Sequence, residues 1–326
     1  MKFLMNFTTS DDDIRRYSSA RDLREYYQRY GLNGLEVMPL SYQDGDIWRQ
    51  PRQCPIIESD MVTGVHACCI TDWMGLDRTY LLEHYRKDLD YAQAMGAEYV
   101  VFHVSQASDE ELYTWQIHHT DEEVIDASYS FINELLKDGE YSFWFLMENQ
   151  WWPGLTYRSP DCTRRLLDGI HYEKKGLILD TGHFMHTDLE LASQEEALFS
   201  LNAMLDAHKE FIPYIKGVHI HQSLTGSYLK NWLKEGNVLP EDAEERFCKV
   251  YEHIFAIDRH EPLTACGVEN LIKRIGPLYV TFEYITRGRE EHASYLEMGI
   301  SACSSLVSHF HDARISAAGD AVFYTR

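Results

Sequence analysis

A chain of 326 residues is long enough for two domains, yet one (β/α)₈ barrel with insertions absorbs the same length. With 44% apolar and 13% aromatic residues it can bury a large core, which excludes a disordered chain, and no run reaches the roughly 18 apolar residues of a membrane span. Its 30 basic against 52 acidic residues give a net charge of −22 and disfavour nucleic acid as a partner, because Arg15-Arg16, Lys174-Lys175 and Arg287/Arg289 are short, isolated and form no basic stripe.

The opening segment 1–7 is too short, and too soon followed by Asp11, Asp12 and Asp13, for a signal peptide; it reads as a first strand. Further strand-like runs begin near residues 34, 62, 98, 143, 176, 215 and 279. Helical patterns over 18–30, 79–95, 121–136, 159–169 and 194–211 separate them. Leu81, Leu82, Tyr85, Leu89 and Ala92 keep the 3–4 spacing of an amphipathic helix, and Gly31, Gly96 and Gly169 stand where a C-cap glycine closes one. Strand interiors such as 100–102 and 177–179 are continuously apolar, as when both faces of a parallel sheet are covered. Eight alternating β and α segments therefore predict a closed α/β barrel. The longest interval, before the last strand, holds 224–237, a Pro-Glu-Asp turn at 240–242 and a helical 243–257. Residues 220–257 are predicted to be an insertion over the barrel mouth, and 290–310 a C-terminal helical extension. No linker divides the chain, so 1–326 is expected to form one domain.

Seven cysteines, at 54, 68, 69, 162, 248, 266 and 303, are an odd number with no CxxC pair. They read as reduced, inert core thiols of a cytoplasmic protein, with Cys68 and Cys69 on opposite faces of a strand.

Six of the strand-like runs end in a histidine or a carboxylate: His66, His103, Glu148, Asp180, His219 and Glu283. Parallel strands closed into a barrel aim such residues into one mouth. Glu148, Asp180, His219 and Glu283 suit a hard-to-borderline divalent ion: Mn²⁺, Mg²⁺, Co²⁺ or Zn²⁺. His66, His103, His183, Asp258 and His260 extend the set, and their imidazoles shift the preference toward zinc. Trp151 and Trp152, just past Glu148, are candidates for an apolar platform under a sugar ring or base. His221, two residues past His219, is a candidate general base or outer donor. Glu36 ends the second strand run or lies inside the barrel, and is a candidate contact to a substrate hydroxyl.

The segments Val65-His66, Phe102-His103, Met147-Glu148-Asn149, 179–183, 217–219, 257–260 and Phe282-Glu283 resemble the xylose isomerase-like TIM-barrel superfamily, and within it the endonuclease IV branch of AP endonuclease family 2. The resemblance spans most of 1–285 and implies up to three zinc ions. One would take His66, His103 and Glu148; a second Glu148 as a bridge with Asp180, His219 and Glu283; a third His183, Asp258 and His260. The chain departs from that branch at Gln150–Gly154, where the DNA enzymes have small residues. It departs again in the 39-residue separation of His219 from Asp258, and it lacks recognisable DNA-penetrating loops.

Two reactions compete. A multi-zinc centre suits metal-assisted phosphoester hydrolysis on a small or nucleotide-like substrate. One Mn- or Mg-type ion held by Glu148, Asp180, His219 and Glu283 suits isomerisation or epimerisation of a sugar or sugar phosphate, with Glu148 and Glu283 moving the proton. A non-catalytic metal-binding barrel is the third reading. The expected partner is a small phosphorylated or sugar-like molecule; no membrane is expected, and the sequence gives no oligomeric state.

Overall fold

The computed structural model describes residues 1–40, 54–137 and 139–307. The eight predicted strands form as β1 (Lys2–Thr8), β2 (Gly34–Met38), β3 (Val62–His66), β4 (Tyr99–His103), β5 (Trp144–Glu148), β6 (Lys175–Asp180), β7 (Ile215–Ile220) and β8 (Tyr279–Phe282). Every pairing is parallel, and β8 returns to β1, so the sheet closes in chain order. This is a (β/α)₈ TIM barrel.

Strand side chains alternate between faces, and the two faces bury different things. Leu4, Tyr99, Val101, Leu146, Ile178 and Tyr279 form an apolar cluster drawn from five strands, which can meet only inside the cylinder. The alternate residues, Phe102, Phe145, Leu177, Leu179 and Val280 among them, pack in the larger core with the surrounding helices. Two steps beyond the inner apolar layer the same face carries His103 after Val101, Glu148 after Leu146 and Asp180 after Ile178. Register sets them side by side: His103 pairs with Glu148, and Asp180 with His219. The centre is thus the top layer of the barrel's own packing.

The predicted helices form with shifted ends. Asp77 caps Arg78–Met95, and Gly96 closes it at φ 71. Thr120 and Glu123 make a capping box at the start of Asp121–Leu136. Gly169, expected as a C-cap, is instead the last residue of Pro160–Gly169, and Ile170 follows it in extended conformation. The helix expected over 194–211 stops at Ala207, before a short 3₁₀ turn that contains Pro213. Cys68 and Cys69 lie past the end of β3, in a loop and not on a strand. All seven cysteines are free; Cys54, Cys68, Cys162 and Cys303 are buried, whereas Cys248 and Cys266 are exposed.

The interval before β8 contains Gly226–Glu235, Ala243–Ile257 and a further helix, Val268–Ile275. Val268, Leu271, Ile272 and Ile275 face the main core, so this last segment returns the chain to the barrel wall. Val250 of the second helix joins Ala107, Leu112, Tyr113 and Trp152 in a separate apolar cluster, and the Trp232 indole N–H donates to the Tyr113 carbonyl at 2.8 Å. The inserted helices are therefore fastened to the loop after β4 and to the residue four past the end of β5. The C-terminal helix is Arg289–Ala302; residues 308–310 of the expected extension lie outside the described residues. No helix among the described residues is long and apolar enough to cross a membrane.

Candidate metal centre

The nine residues expected as ligands meet at the C-terminal mouth of the barrel. Glu148 lies between two groups of them. Its Oε2 is 3.2 Å from His66 Nε2 and 3.3 Å from His103 Nε2, while its Oε1 is 3.4 Å from His219 Nδ1. His219 Nδ1 is also 3.1 Å from Glu283 Oε2 and 3.7 Å from Asp180 Oδ2. Ligands around a tetrahedral zinc, at 2.0–2.1 Å from the metal, lie roughly 3.3–3.4 Å apart. The separations here straddle that value.

Hydrogen bonding decides what these atoms offer. His219 Nε2 is 3.0–3.1 Å from the Glu36 carboxylate, which can only accept, so Nε2 keeps its proton and Nδ1 is the nitrogen whose proton an ion would displace. His66 Nδ1 donates to the Ala67 carbonyl at 2.9 Å, and His260 Nδ1 to the Glu283 carbonyl at 3.0 Å. Each leaves Nε2 facing a carboxylate: Glu148 for His66, and Asp258 Oδ2 at 2.7 Å for His260. Glu148 Oε1, His219 Nδ1 and Glu283 Oε2 are buried without any hydrogen-bond partner. Orphaned buried polar atoms are rare because desolvating one costs about 1–3 kcal/mol. Three of them converging call for a positive charge at their centre.

Electrostatics give the same answer. Glu36, Glu148, Asp180, Asp258 and Glu283 are buried together, and among the described residues their ion pairs are with histidines alone. Burial opposes the histidine charge, but Glu36, Glu283 and Glu148 outweigh it and raise His219 well above the ordinary range. Burial likewise opposes His260, which Asp258 still pushes up to about 9. Against burial, neighbouring imidazoles hold the carboxylates well below their usual range: His219 and His103 for Glu148, His183 and His221 for Asp180, and His260 and His183 for Asp258. Without metal, protons supply the cations this layer requires; a divalent ion would displace them.

The third group is His183, Asp258 and His260, with His183 Nε2 3.1 Å from Asp258 Oδ2. His183 lies in the short helix Thr181–Met185, which Asp180 caps by accepting the His183 N–H at 2.6 Å. One carboxylate therefore serves as helix cap and candidate ligand. His260 adopts φ 48, a left-handed conformation a residue with a side chain keeps only when its surroundings enforce it. Ser223 enforces it here: its oxygen accepts the Arg259 and His260 N–H groups and its hydroxyl donates to Asp258 Oδ1 at 3.0 Å.

The other expected site residues fall as follows. His221 Nε2 is 2.8 Å from Asp180 Oδ2, and the ring stacks on His260 at 3.8 Å. A Cβ at Gly182 would stand 2.0 Å from that ring, so the glycine makes its room. Trp151 is half-buried with its ring 5.1 Å from His183 and 4.7 Å from His186. Trp152 is buried against Trp115 within the cluster that anchors the insertion. Glu36 is 2% exposed and also accepts from Tyr99 and Thr281, so a substrate hydroxyl would have to displace one of these to reach it. Sequence reasoning passed over His186, whose Nε2 is 3.3 Å from Asp258 Oδ1, and Asn149, whose amide exchanges two hydrogen bonds with the Asp180 backbone. It also read Cys69 as inert. That thiol is 3.8 Å from His103 Nε2; burial raises it, but His103 and His66 bring it down to about 6.

The family model for the xylose isomerase-like TIM barrel, AP endonuclease family 2, matches residues 3–298. The chain belongs to the xylose isomerase-like TIM-barrel family. A comparison with curated proteins gives no match. Among solved structures, endonuclease IV from Thermus thermophilus is 16% identical with a TM-score of 0.53, over 94% of this chain and all of that one (100%). An IolI protein with a binding zinc atom is 14% identical with a TM-score of 0.51, over 95% of this chain and 99% of that one. L-ribulose 3-epimerase is 11% identical with a TM-score of 0.49, over 99% of both chains. For the endonuclease IV and the IolI protein the likeness is one of fold. Within this family the His, Asp and Glu groups described above can hold metal.

Proposed function

We propose that this xylose isomerase-like barrel is a divalent-metal-dependent enzyme that hydrolyses phosphoesters on a small or nucleotide-like substrate at a multi-zinc centre. The observation that carries the reading is the position of Glu148, with one oxygen toward His66 and His103 and the other toward His183 and His219. A carboxylate placed between two donor sets suits a pair of ions, and one-ion isomerisation has no use for the first set. Zinc held there would supply a Lewis acid for phosphoryl oxygens and a nucleophile at neutral pH.

The chain's own residues would do the rest. Glu36 fixes the ring of His219 so that Nδ1 faces inward. His221 and Asn149 hold Asp180 from its side chain and its backbone. Ser223 and His186 orient Asp258 beneath His183 and His260. Trp151 lines the mouth beside His183 and offers a half-buried apolar face to a base or sugar ring. Glu283 and His221 are the groups best placed to take or give a proton at the inner ion set. The acidic chain and its lack of a basic stripe favour a small substrate over DNA.

The compact set Glu148, Asp180, His219 and Glu283 would also serve one ion in a sugar isomerase or epimerase, which makes metal count the deciding test. Protein purified without chelator is expected to carry two to three zinc equivalents and to hydrolyse phosphomonoester or phosphodiester model substrates. A single exchangeable manganese or magnesium, with epimerisation of a keto sugar and no phosphoester cleavage, would overturn the proposal.

A further inference from the structure

We propose that Cys69 is a metal ligand, closing a four-donor site with His66, His103 and Glu148. The inference rests on the metal-centre reading above and extends it to a residue type that the expected ligand set does not contain.

The geometry is that of a built site. His66, Cys69 and His103 offer donor atoms that all lie within 4.8 Å of one another. The Cys69 sulfur is 3.8 Å from His103 Nε2, and Glu148 Oε2 is 3.2 and 3.3 Å from the two imidazole nitrogens. Zinc–sulfur bonds of 2.3 Å and zinc–nitrogen bonds of 2.0–2.1 Å put nitrogen and sulfur roughly 3.6 Å apart in a tetrahedron. The sulfur–nitrogen spacing at His103 is within a few tenths of an ångström of that value; Glu148 reaches the set through the two imidazoles and must close on the thiol when an ion binds. Because His66 Nδ1 donates to the Ala67 carbonyl, Nε2 is the nitrogen left to face an ion.

The loop delivers the thiol by construction. Asp88, from the helix Arg78–Met95, accepts the Cys68 N–H at 2.9 Å. That bond ties the first residue of the pair to the barrel wall, where Cys68 is buried, and the next residue turns its sulfur back toward the mouth. The sulfur's contact with the Ala67 carbonyl is long, 3.8 Å, and its other partners are the imidazoles of His103 and His66 themselves.

Two consequences follow. A thiolate is a soft donor and selects zinc over magnesium or manganese at this position. Four protein donors also close the coordination sphere, the mark of a holding site, so substrate would be met at the set built on Asp180, His219 and Glu283.

The test replaces zinc with cobalt in the purified full chain and reads the near-ultraviolet spectrum. Wild type and Cys68→Ser are expected to show a thiolate-to-cobalt charge-transfer band, and Cys69→Ser to lose it while still binding cobalt at the remaining donors. Zinc affinity for one equivalent should fall at least ~10-fold in Cys69→Ser, the loss that removing even an outer partner produces. Cobalt bound without the band in wild type, or a band that survives in Cys69→Ser, would overturn the assignment and leave the metal centre standing. Failure to bind cobalt at all would overturn both. If Cys69→Ser does not fold, alkylation mapped by mass spectrometry gives the answer in the unaltered chain. Zinc should protect Cys69, and equal alkylation with and without zinc would overturn the proposal.

Discussion

Replacing Glu148 with glutamine keeps the side chain's shape and removes the one charge shared by two donor sets. The carboxylate meets His66 and His103 through Oε2, and His219 through Oε1. A glutamine has a single acceptor oxygen. Whichever way its amide turns, the NH₂ group confronts a ring nitrogen whose lone pair is meant for a cation, and one ion loses a ligand outright. Breaking a buried, fully engaged charge pair by removing one partner costs about 3–5 kcal/mol. At 1.4 kcal/mol per tenfold, that is a loss of about 10²- to 10⁴-fold in affinity for at least one zinc equivalent. Competition against a chelator of known zinc affinity, run on Glu148→Gln and wild type at one pH, measures it. Turnover should disappear with that equivalent. Unchanged stoichiometry and affinity in Glu148→Gln would refute the reasoning, because the bridging position would then carry no weight.

Three other outcomes follow from the same geometry. Glu36→Gln removes the charge that orients His219, and should weaken the ion at His219 by roughly 10- to 100-fold while sparing the one at His183 and His260; calorimetric titration resolving the sites would show equal losses if this is wrong. His292, buried beside Arg16 with its Nδ1 2.8 Å from the Tyr26 hydroxyl, is pushed down to about 3, by burial first and the guanidinium second. Its folded pKa lies below the unfolded value, so its contribution is fully present above about pH 6.5 and is lost as pH falls toward 3, roughly 5 kcal/mol in all. Melting of metal-free His292→Gln should therefore fall less steeply with acid than wild type, and parallel curves would contradict this. Abasic DNA is expected to be cleaved poorly at physiological salt, and efficient cleavage there would show that the discount placed on the chain's acidity was misplaced.

The barrel was legible because each strand is buried on both faces and so reads as an apolar run, and because the ligands terminate those runs. His103, Glu148 and Asp180 need only the strand period to be placed on the inner face. Residues set by long-range packing were not legible. His186 gains its role when the helix Thr181–Met185 brings it against Asp258, 72 positions away. Glu36 read as inward-facing, but barrel closure brings it Tyr99, Thr281 and His219 as partners. Cys69 looked like half of a strand pair, because the bond from Cys68 to Asp88 that turns the loop has no local signature. The short helices at 11–14, 109–114, 181–185 and 268–275 span too few turns for a helical period to stand out.

The most direct test is anomalous diffraction at the zinc edge from crystals of protein grown without chelator. The account predicts separate peaks at His66/His103/Glu148 and at Glu148/Asp180/His219/Glu283, with a third at His183/Asp258/His260. Zinc-loaded protein that shows no peak between Glu148 and His219 would contradict it.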